Sequence, residues 1–319
     1  MLRDYQIESV AKTRAAISEG YKRPLLVLST GAGKSLIYGE VIRRIHENGK
    51  RALFLVNRRN LVFQFRDTLR EFFDIDPGLI MSGVLSDLYN PIQLATIQTL
   101  SRRVDLPGDK YIVDTDCVLI DEGHFAVSPT YKKVLDLYQD KITIGTTATP
   151  CRLDGRPLGD VYNKIVEVIS HEELVKQKHL VPMRYFAPSG IDTSGVPLSS
   201  NKDFNLKKLA EKSDTPKING DCVQNWLKNG EDRKTLVFAV NVKHSIHLRD
   251  EFIKHGVPAE HLDARSTDEE REAVFARMEA GETKVICNVA LYTYGMDCPG
   301  ISCICVVRPT KSFGLWRQM

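Results

Sequence analysis

Ser29-Thr30-Gly31-Ala32-Gly33-Lys34-Ser35 stands between a short apolar run, Leu25 to Leu28, and a segment with helical spacing. Glycines there let the backbone curl so that several N–H groups point into one loop, and the start of the following helix adds its positive end. A strand, a glycine-rich loop ending in Gly-Lys-Ser and a helix make a phosphate cradle. In such a cradle Lys34 reaches the β- and γ-phosphates of ATP, Thr30 to Gly33 wrap them with backbone, and the Ser35 hydroxyl binds Mg²⁺. The strict pattern asks for glycine where the chain has Leu28, so a glycine-rich turn before a core helix is the alternative. A second cluster, Asp121-Glu122-Gly123-His124, directly follows the apolar run Cys117 to Ile120. Paired carboxylates at a strand end are costly unless they serve a cation or a proton transfer. Asp121 is expected to hold Mg²⁺ through water, and Glu122 to orient and deprotonate the attacking water. His124 is either structural or couples this site to its surroundings. Thr146-Thr147-Ala148-Thr149-Pro150 follows a further apolar run. It reads as a hydrogen-bonded switch, or as a threonine-rich turn halted by proline.

These residues need elements to carry them. Apolar spacing predicts a helix over Leu2–Ser18, a strand over Leu25–Leu28, a helix over Leu36–His46, a strand over Ala52–Val56 and a helix over Leu61–Phe72. Strands follow at Ile92–Thr96, Cys117–Ile120 and Ile142–Gly145. The pattern returns with strands at Thr235–Val240, Val285–Asn288 and Ile301–Val307, and a helix over His244–His255. Alternation of this kind implies an α/β fold with parallel sheets covered on both faces. The expected division is residues 1–170 and 171–319, with a polar linker or insertion at about 188–220 holding one short helix near Phe204–Glu211.

Composition narrows the class. The 319 residues are 42% hydrophobic and 27% charged, a balance that excludes disorder as the main state. The longest apolar runs are far shorter than the roughly 20 residues of a membrane span, and the first residues lead into no secretory signal. A net charge of +3 neither argues for nucleic acid nor forbids it. There are 7 cysteines, and none forms a Cys-x-x-Cys pair, in keeping with a reducing, cytoplasmic setting. Cys303 and Cys305 would face one side of a strand as core residues; a metal there would need further ligands that the spacing does not offer.

In order along the chain, the three clusters resemble motifs I, II and III of the superfamily 2 helicases and translocases of DEAD/DEAH type, motif II taking a DEGH form. The likeness is strongest to the duplex-DNA translocases that include type I restriction motors and repair helicases. It implies two tandem RecA-like domains, ATP and Mg²⁺ as ligands and nucleic acid, preferably duplex DNA, as partner, with no membrane. Leu2-Arg3-Asp4-Tyr5-Gln6 is similar to the family's adenine-reading segment, which would put Gln6 on the base and Arg3 beside it. Arg59 and Gln64 resemble a backbone-binding motif, and Thr96, Gln98 and Thr99 its companion; ordinary helix starts are the alternative. Thr235–Val240 with His244 resembles motif IV. Thr293-Tyr294-Gly295-Met296-Asp297 resembles motif V, with Tyr294 where the family has an acidic residue; Gly295 and Asp297 would face the nucleotide and Thr293 the nucleic acid.

Gln318 matches the start of motif VI, whose arginines would follow Met319. The expectation is a second domain incomplete at its C-terminus, binding nucleotide but hydrolysing it slowly for want of an arginine finger. The expected function is an ATP-dependent motor that opens and closes a cleft. The alternatives are a nucleic-acid clamp with a silent ATPase and an RNA helicase. No nuclease or methyltransferase site is recognisable, so any such activity would come from a partner.

Overall fold

The computed structural model describes residues 2–84, 87–106, 112–150, 157–188, 190–200, 202–291 and 300–319. It forms two units, Met1–Met183 and Arg184–Met319. In the first, α1 (Asp4–Ser18) leads to β1 (Pro24–Val27), α2 (Lys34–Glu47), β2 (Ala52–Val56), α3 (Arg59–Phe73) and β3 (Gly78–Ile80). Then come β4 (Ile92–Thr96), α4 (Ile97–Arg103), β5 (Cys117–Ile120), α5 (Pro129–Leu135), β6 (Ile142–Thr147), β7 (Lys164–Glu167) and α6 (His171–Lys176).

The strands pair in the order β3-β4-β2-β5-β6-β1-β7, all parallel. Alternate residues supply two cores. Leu26, Phe54 and Leu119 pack on one face with Ile37 and Ile42 of α2 and Leu69 of α3. Leu25, Leu53, Leu55 and Ile120 pack on the other with Leu100 of α4 and Val134 of α5. Each fully buried leucine contributes about 1.5–3 kcal/mol relative to exposure. This two-sided burial is why the central strands are continuous apolar runs. Because only β6 separates β1 from β5, the phosphate loop and the acidic pair leave neighbouring strand ends on the same edge of the sheet, where open parallel sheets bind ligands.

The second unit holds α7 (Leu206–Ser213), α8 (Pro216–Asn229), β8 (Thr235–Phe238), α9 (Val242–Lys254), β9 (Ala259–Leu262), α10 (Asp268–Ala280), β10 (Val285–Asn288), β11 (Cys303–Val306) and α11 (Phe313–Gln318). Its parallel sheet has the order β11-β8-β10-β9. Trp226 of α8 donates from Nε1 to Thr235 Oγ1 at 2.7 Å and packs edge-on against Phe252 of α9.

Apolar runs located the central strands, and the differences have local causes. Edge strand β7 buries only Val166, so no run marked it. Within 188–220, read as linker with one helix, the structure has α7 and the start of α8, capped by the Thr215 hydroxyl with Pro216 in the first turn. Leu174 of α6 packs into the first unit's core, on the N-terminal side of the observed division and beyond the expected boundary at 170. Among the described residues no helix is long and apolar enough to cross a membrane.

His244 is a buried polar group in the second unit. Its Nδ1 accepts from Val240 N–H at 3.3 Å, and its Nε2 lies 3.1 Å from Asn219 Oδ1. Both partners suit the neutral ring, and burial lowers its pKa from 6.5 to about 4. Asp214 opposes the shift and His247 adds to it. A depressed folded-state value means stability present above pH 6.5 and lost as pH falls towards 4, by up to roughly 3 kcal/mol. We predict that His244→Gln flattens the acid-side loss of thermal stability between pH 6.5 and 4 relative to wild type; parallel profiles would show that this ring does not titrate on unfolding.

Candidate active site

The loop before α2 is built on left-handed glycines, Gly31 at φ 79° and Gly33 at φ 71°. Gly33 occupies the N-cap of α2 and gives no side-chain cap, so the helix start presents its N–H groups to the loop. The loop is braced from below. Tyr5 Oη and Gln6 Nε2 both donate to Ala32 O, at 3.0 and 3.2 Å. Gln6 Oε1 accepts from Arg3 N–H at 2.9 Å, and Arg3 Nη1 donates to Tyr5 Oη at 3.3 Å. Gln6 is 2% exposed, with both ends of its amide engaged. An added Cβ at Gly33 would lie 2.5 Å from Gln6 Nε2, and one at Gly31 2.8 Å from Leu180. Tyr5 also meets the His179 ring at 5.3 Å. Tyr5, His179 and Leu180 thus support the loop, and nothing in their local sequence marks His179 or Leu180.

Lys34 Nζ lies 3.1 Å from Glu122 Oε1, each side chain 15% exposed. Glu122 Oε2 in turn lies 3.4 Å from His124 Nδ1. His124 Nδ1 is 3.0 Å from Thr147 Oγ1, which donates to Thr149 O at 3.0 Å and accepts from Thr149 N–H at 3.1 Å. With its one proton given to Thr149, the Thr147 hydroxyl must accept from His124, so Nδ1 carries the ring proton. Burial lowers the His124 pKa. The Thr149 hydroxyl is buried with no hydrogen-bond partner among the described residues, and the buried Thr146 lies beside the Tyr38 hydroxyl. Of the three threonines, Thr147 alone joins the relay. Burial pushes the Asp121 carboxyl up to about 6, with Lys34 acting against it.

Glu122 adopts the left-handed conformation, φ 50°, rare for a side chain of its kind. Gly123 follows because Tyr162 fills the space beside it: Tyr162 Oη donates to Gly123 O at 3.1 Å. The same ring faces Gly145 on β6.

Ser35 and Asp121 line one cavity of about 60 Å³. Their hard oxygens suit Mg²⁺, and Lys34 with the open start of α2 suits a polyphosphate. The residues present therefore fit both groups. Arg59 Nη1 donates to Ser82 O at 2.6 Å, Thr96 Oγ1 to Thr99 Oγ1 at 2.9 Å, and Gln98 Nε2 to Asn57 O at 3.0 Å. These residues stand at the ends of β2 and β4 on the same sheet edge, outside the Lys34–Glu122 cluster. Gln64 instead lines the cavity with Ser35 and Asp121. Thr293, Gly295 and Asp297 lie outside the described residues.

Residues 1–152 match the type III restriction enzyme res subunit family, and residues 219–319 match the helicase conserved C-terminal domain. The two matches together are those expected of a superfamily 2 helicase or translocase. IRC3 of Saccharomyces cerevisiae, provisionally named an ATP-dependent helicase, is 31% identical over 100% of this chain and 48% of its own length. The DNA 3'-5' translocase XPB2 of Sulfurisphaera tokodaii is 24% identical over 99% of this chain and 76% of its own. The Hef helicase domain of Pyrococcus furiosus superposes with a TM-score of 0.60 at 16% identity, covering 99% of this chain and 91% of that one. This likeness is one of fold: two tandem RecA-like units with parallel sheets. The chain spans about half the length of its yeast relatives.

An added Cβ at Gly123 would lie 2.7 Å from Tyr162 Oη and 2.9 Å from Leu25 Cδ1. We predict that Gly123→Ala destabilises the first unit by about 1–3 kcal/mol, and that adding Tyr162→Phe recovers part of the loss. A thermal melt of the single and double variants checks this; equal melting of Gly123→Ala and wild type would remove Tyr162 as the reason for glycine.

Proposed function

We propose that the chain is the ATP-hydrolysing part of a helicase-type motor acting on duplex DNA. The observation that carries this reading is the Lys34–Glu122 contact at the edge where β1 and β5 end. Lys34 and the backbone of residues 30–33 would hold the β- and γ-phosphates, and Arg3 and Gln6 would serve the base. Gln6 would have to exchange its bond to Ala32 O for one to the adenine edge. Ser35 and Asp121 hold Mg²⁺, which supplies charge neutralisation at the phosphates when bound. With Lys34 drawn to phosphate, Glu122 is freed to accept a proton from the attacking water. His124 donates from Nδ1 to Thr147 at the end of β6 and stands 3.4 Å from Glu122 Oε2, so a change of charge at the acidic pair would be felt at a second strand end.

Arg59, Thr96, Gln98 and Thr99 suit contact with a nucleic-acid backbone, since they offer a guanidinium, hydroxyls and amides without a base-reading pattern. The named activity of the archaeal DNA translocase supports DNA over RNA as the track. In this reading each turnover opens and closes a cleft, with the first unit, Met1–Met183, as the nucleotide-binding domain and the second, Arg184–Met319, as the second motor domain.

Two outcomes test the assignment. Lys34→Ala should abolish measurable MgATP binding in a titration, because a charge-assisted contact in a confined site is lost; unchanged affinity would remove the loop as the phosphate site. Glu122→Gln should lower ATP turnover by about 10²-fold or more, and wild-type turnover should rise more with duplex DNA than with RNA. The reverse preference would make RNA the track, and turnover near wild type in the variant would remove Glu122 as base.

A further inference from the structure

Helix α3 carries two side-chain stripes with different surroundings. Arg59, Phe63 and Arg66 form one, the guanidinium of Arg66 standing 5.0 Å and that of Arg59 5.8 Å from the Phe63 ring. Leu61, Gln64, Phe65 and Thr68 form the other, spaced three and four apart and facing the cavity that Ser35 and Asp121 also line. The rest of that cavity wall is aromatic or aliphatic, from Tyr38, Phe54 and Val56. Its polar groups are therefore the Ser35 hydroxyl, the Asp121 carboxylate, the Gln64 side chain and the Thr68 hydroxyl, with the Tyr38 hydroxyl already donated to Ile120 O. Thr68 Oγ1 is partly committed, donating to Gln64 O at 3.0 Å. A volume of about 60 Å³ with three or four polar partners is a place for ordered water rather than a dry void. A partly desolvated carboxylate gains most from such water.

We propose that Gln64 is a positioning residue for the metal site: through water in this cavity its amide orients the Asp121 carboxylate towards Mg²⁺. The inference rests on the reading of Ser35 and Asp121 as the metal-holding pair. It gives Gln64 a different task from Arg59, five residues earlier on the same helix. An amide fits, because it can donate to a water or carboxylate on one side and accept from a water on the other. It also joins the helix that begins with the proposed nucleic-acid contact Arg59 to the group that holds the cation. A shift of α3 on nucleic-acid binding would then alter the grip on Mg²⁺ without moving the phosphate loop.

The test uses the full 319-residue chain with Mn²⁺ as the probe ion, read by electron paramagnetic resonance in the presence of a non-hydrolysable ATP analogue. Outer partners of metal ligands typically alter affinity by about 10–100-fold when removed. Gln64→Ala should weaken Mn²⁺ by about tenfold while changing metal-free binding of the analogue, measured in chelator, by less than about twofold. Gln64→Glu, with no amide donor but an added carboxylate, should change the Mn²⁺ spectrum itself. Duplex-DNA affinity of Gln64→Ala, measured without nucleotide, should stay within about twofold of wild type. Unaltered Mn²⁺ affinity combined with weakened DNA binding would overturn the proposal and make Gln64 a nucleic-acid contact. Asp121→Asn separates the two layers: if it too leaves Mn²⁺ affinity unaltered, the metal-site reading fails; if it abolishes Mn²⁺ binding while Gln64→Ala does nothing, only the role of Gln64 fails.

Discussion

A single carboxylate, that of Glu122, is held by Lys34 through Oε1, with the His124 ring beside Oε2. The surrounding architecture can be understood as what makes this possible. Lys34 follows β1 and Glu122 follows β5, two strands separated by β6. Two nearly continuous apolar cores fix those strand ends, so the lysine and the glutamate meet with little solvent between them. A hydrogen bond between charged groups in such a place is worth about 1.5–3 kcal/mol, yet the pair is made to be broken. Lys34 has a stronger partner in a polyphosphate, and Glu122 has proton chemistry to perform once released.

The neighbouring residues follow from that contact. Glu122 is turned into the left-handed region so that its side chain projects over the loop. The next position must be glycine because the Tyr162 ring occupies the space a side chain would need. His124 then lies under the carboxylate and reaches Thr147, whose hydroxyl is already committed to Thr149 on the same chain segment. On the other side, Tyr5 and Gln6 hold the loop through Ala32 O. Gln6 is thus a structural brace in this state, and reading a base would require it to change partner.

Much of this was legible in the sequence because its chemistry is local. Gly31, Gly33, Lys34 and Ser35 sit together within one turn, and Asp121 to His124 are consecutive. The central strands announce themselves as apolar runs because both faces are buried. Long-range packing left no such trace. Tyr162 lies 39 residues from the glycine whose carbonyl it contacts. His179 and Leu180 reach the loop from the end of the first unit, and Gln64 shares its motif with Arg59 but not its helix face. Strand β7 was hidden because its outer residues are exposed, and α8 because its polar start, Thr215-Pro216, reads as linker until it is seen to be a cap.

The central claim is that Lys34 passes from Glu122 to the nucleotide phosphates. Calorimetric titration of wild-type and Glu122→Gln chains with MgATP tests it most directly. The account predicts equal or tighter binding by the variant, since Lys34 no longer has a carboxylate to leave. Binding weakened tenfold or more would contradict it, and would mean that Glu122 helps to hold the nucleotide rather than competing with it for Lys34.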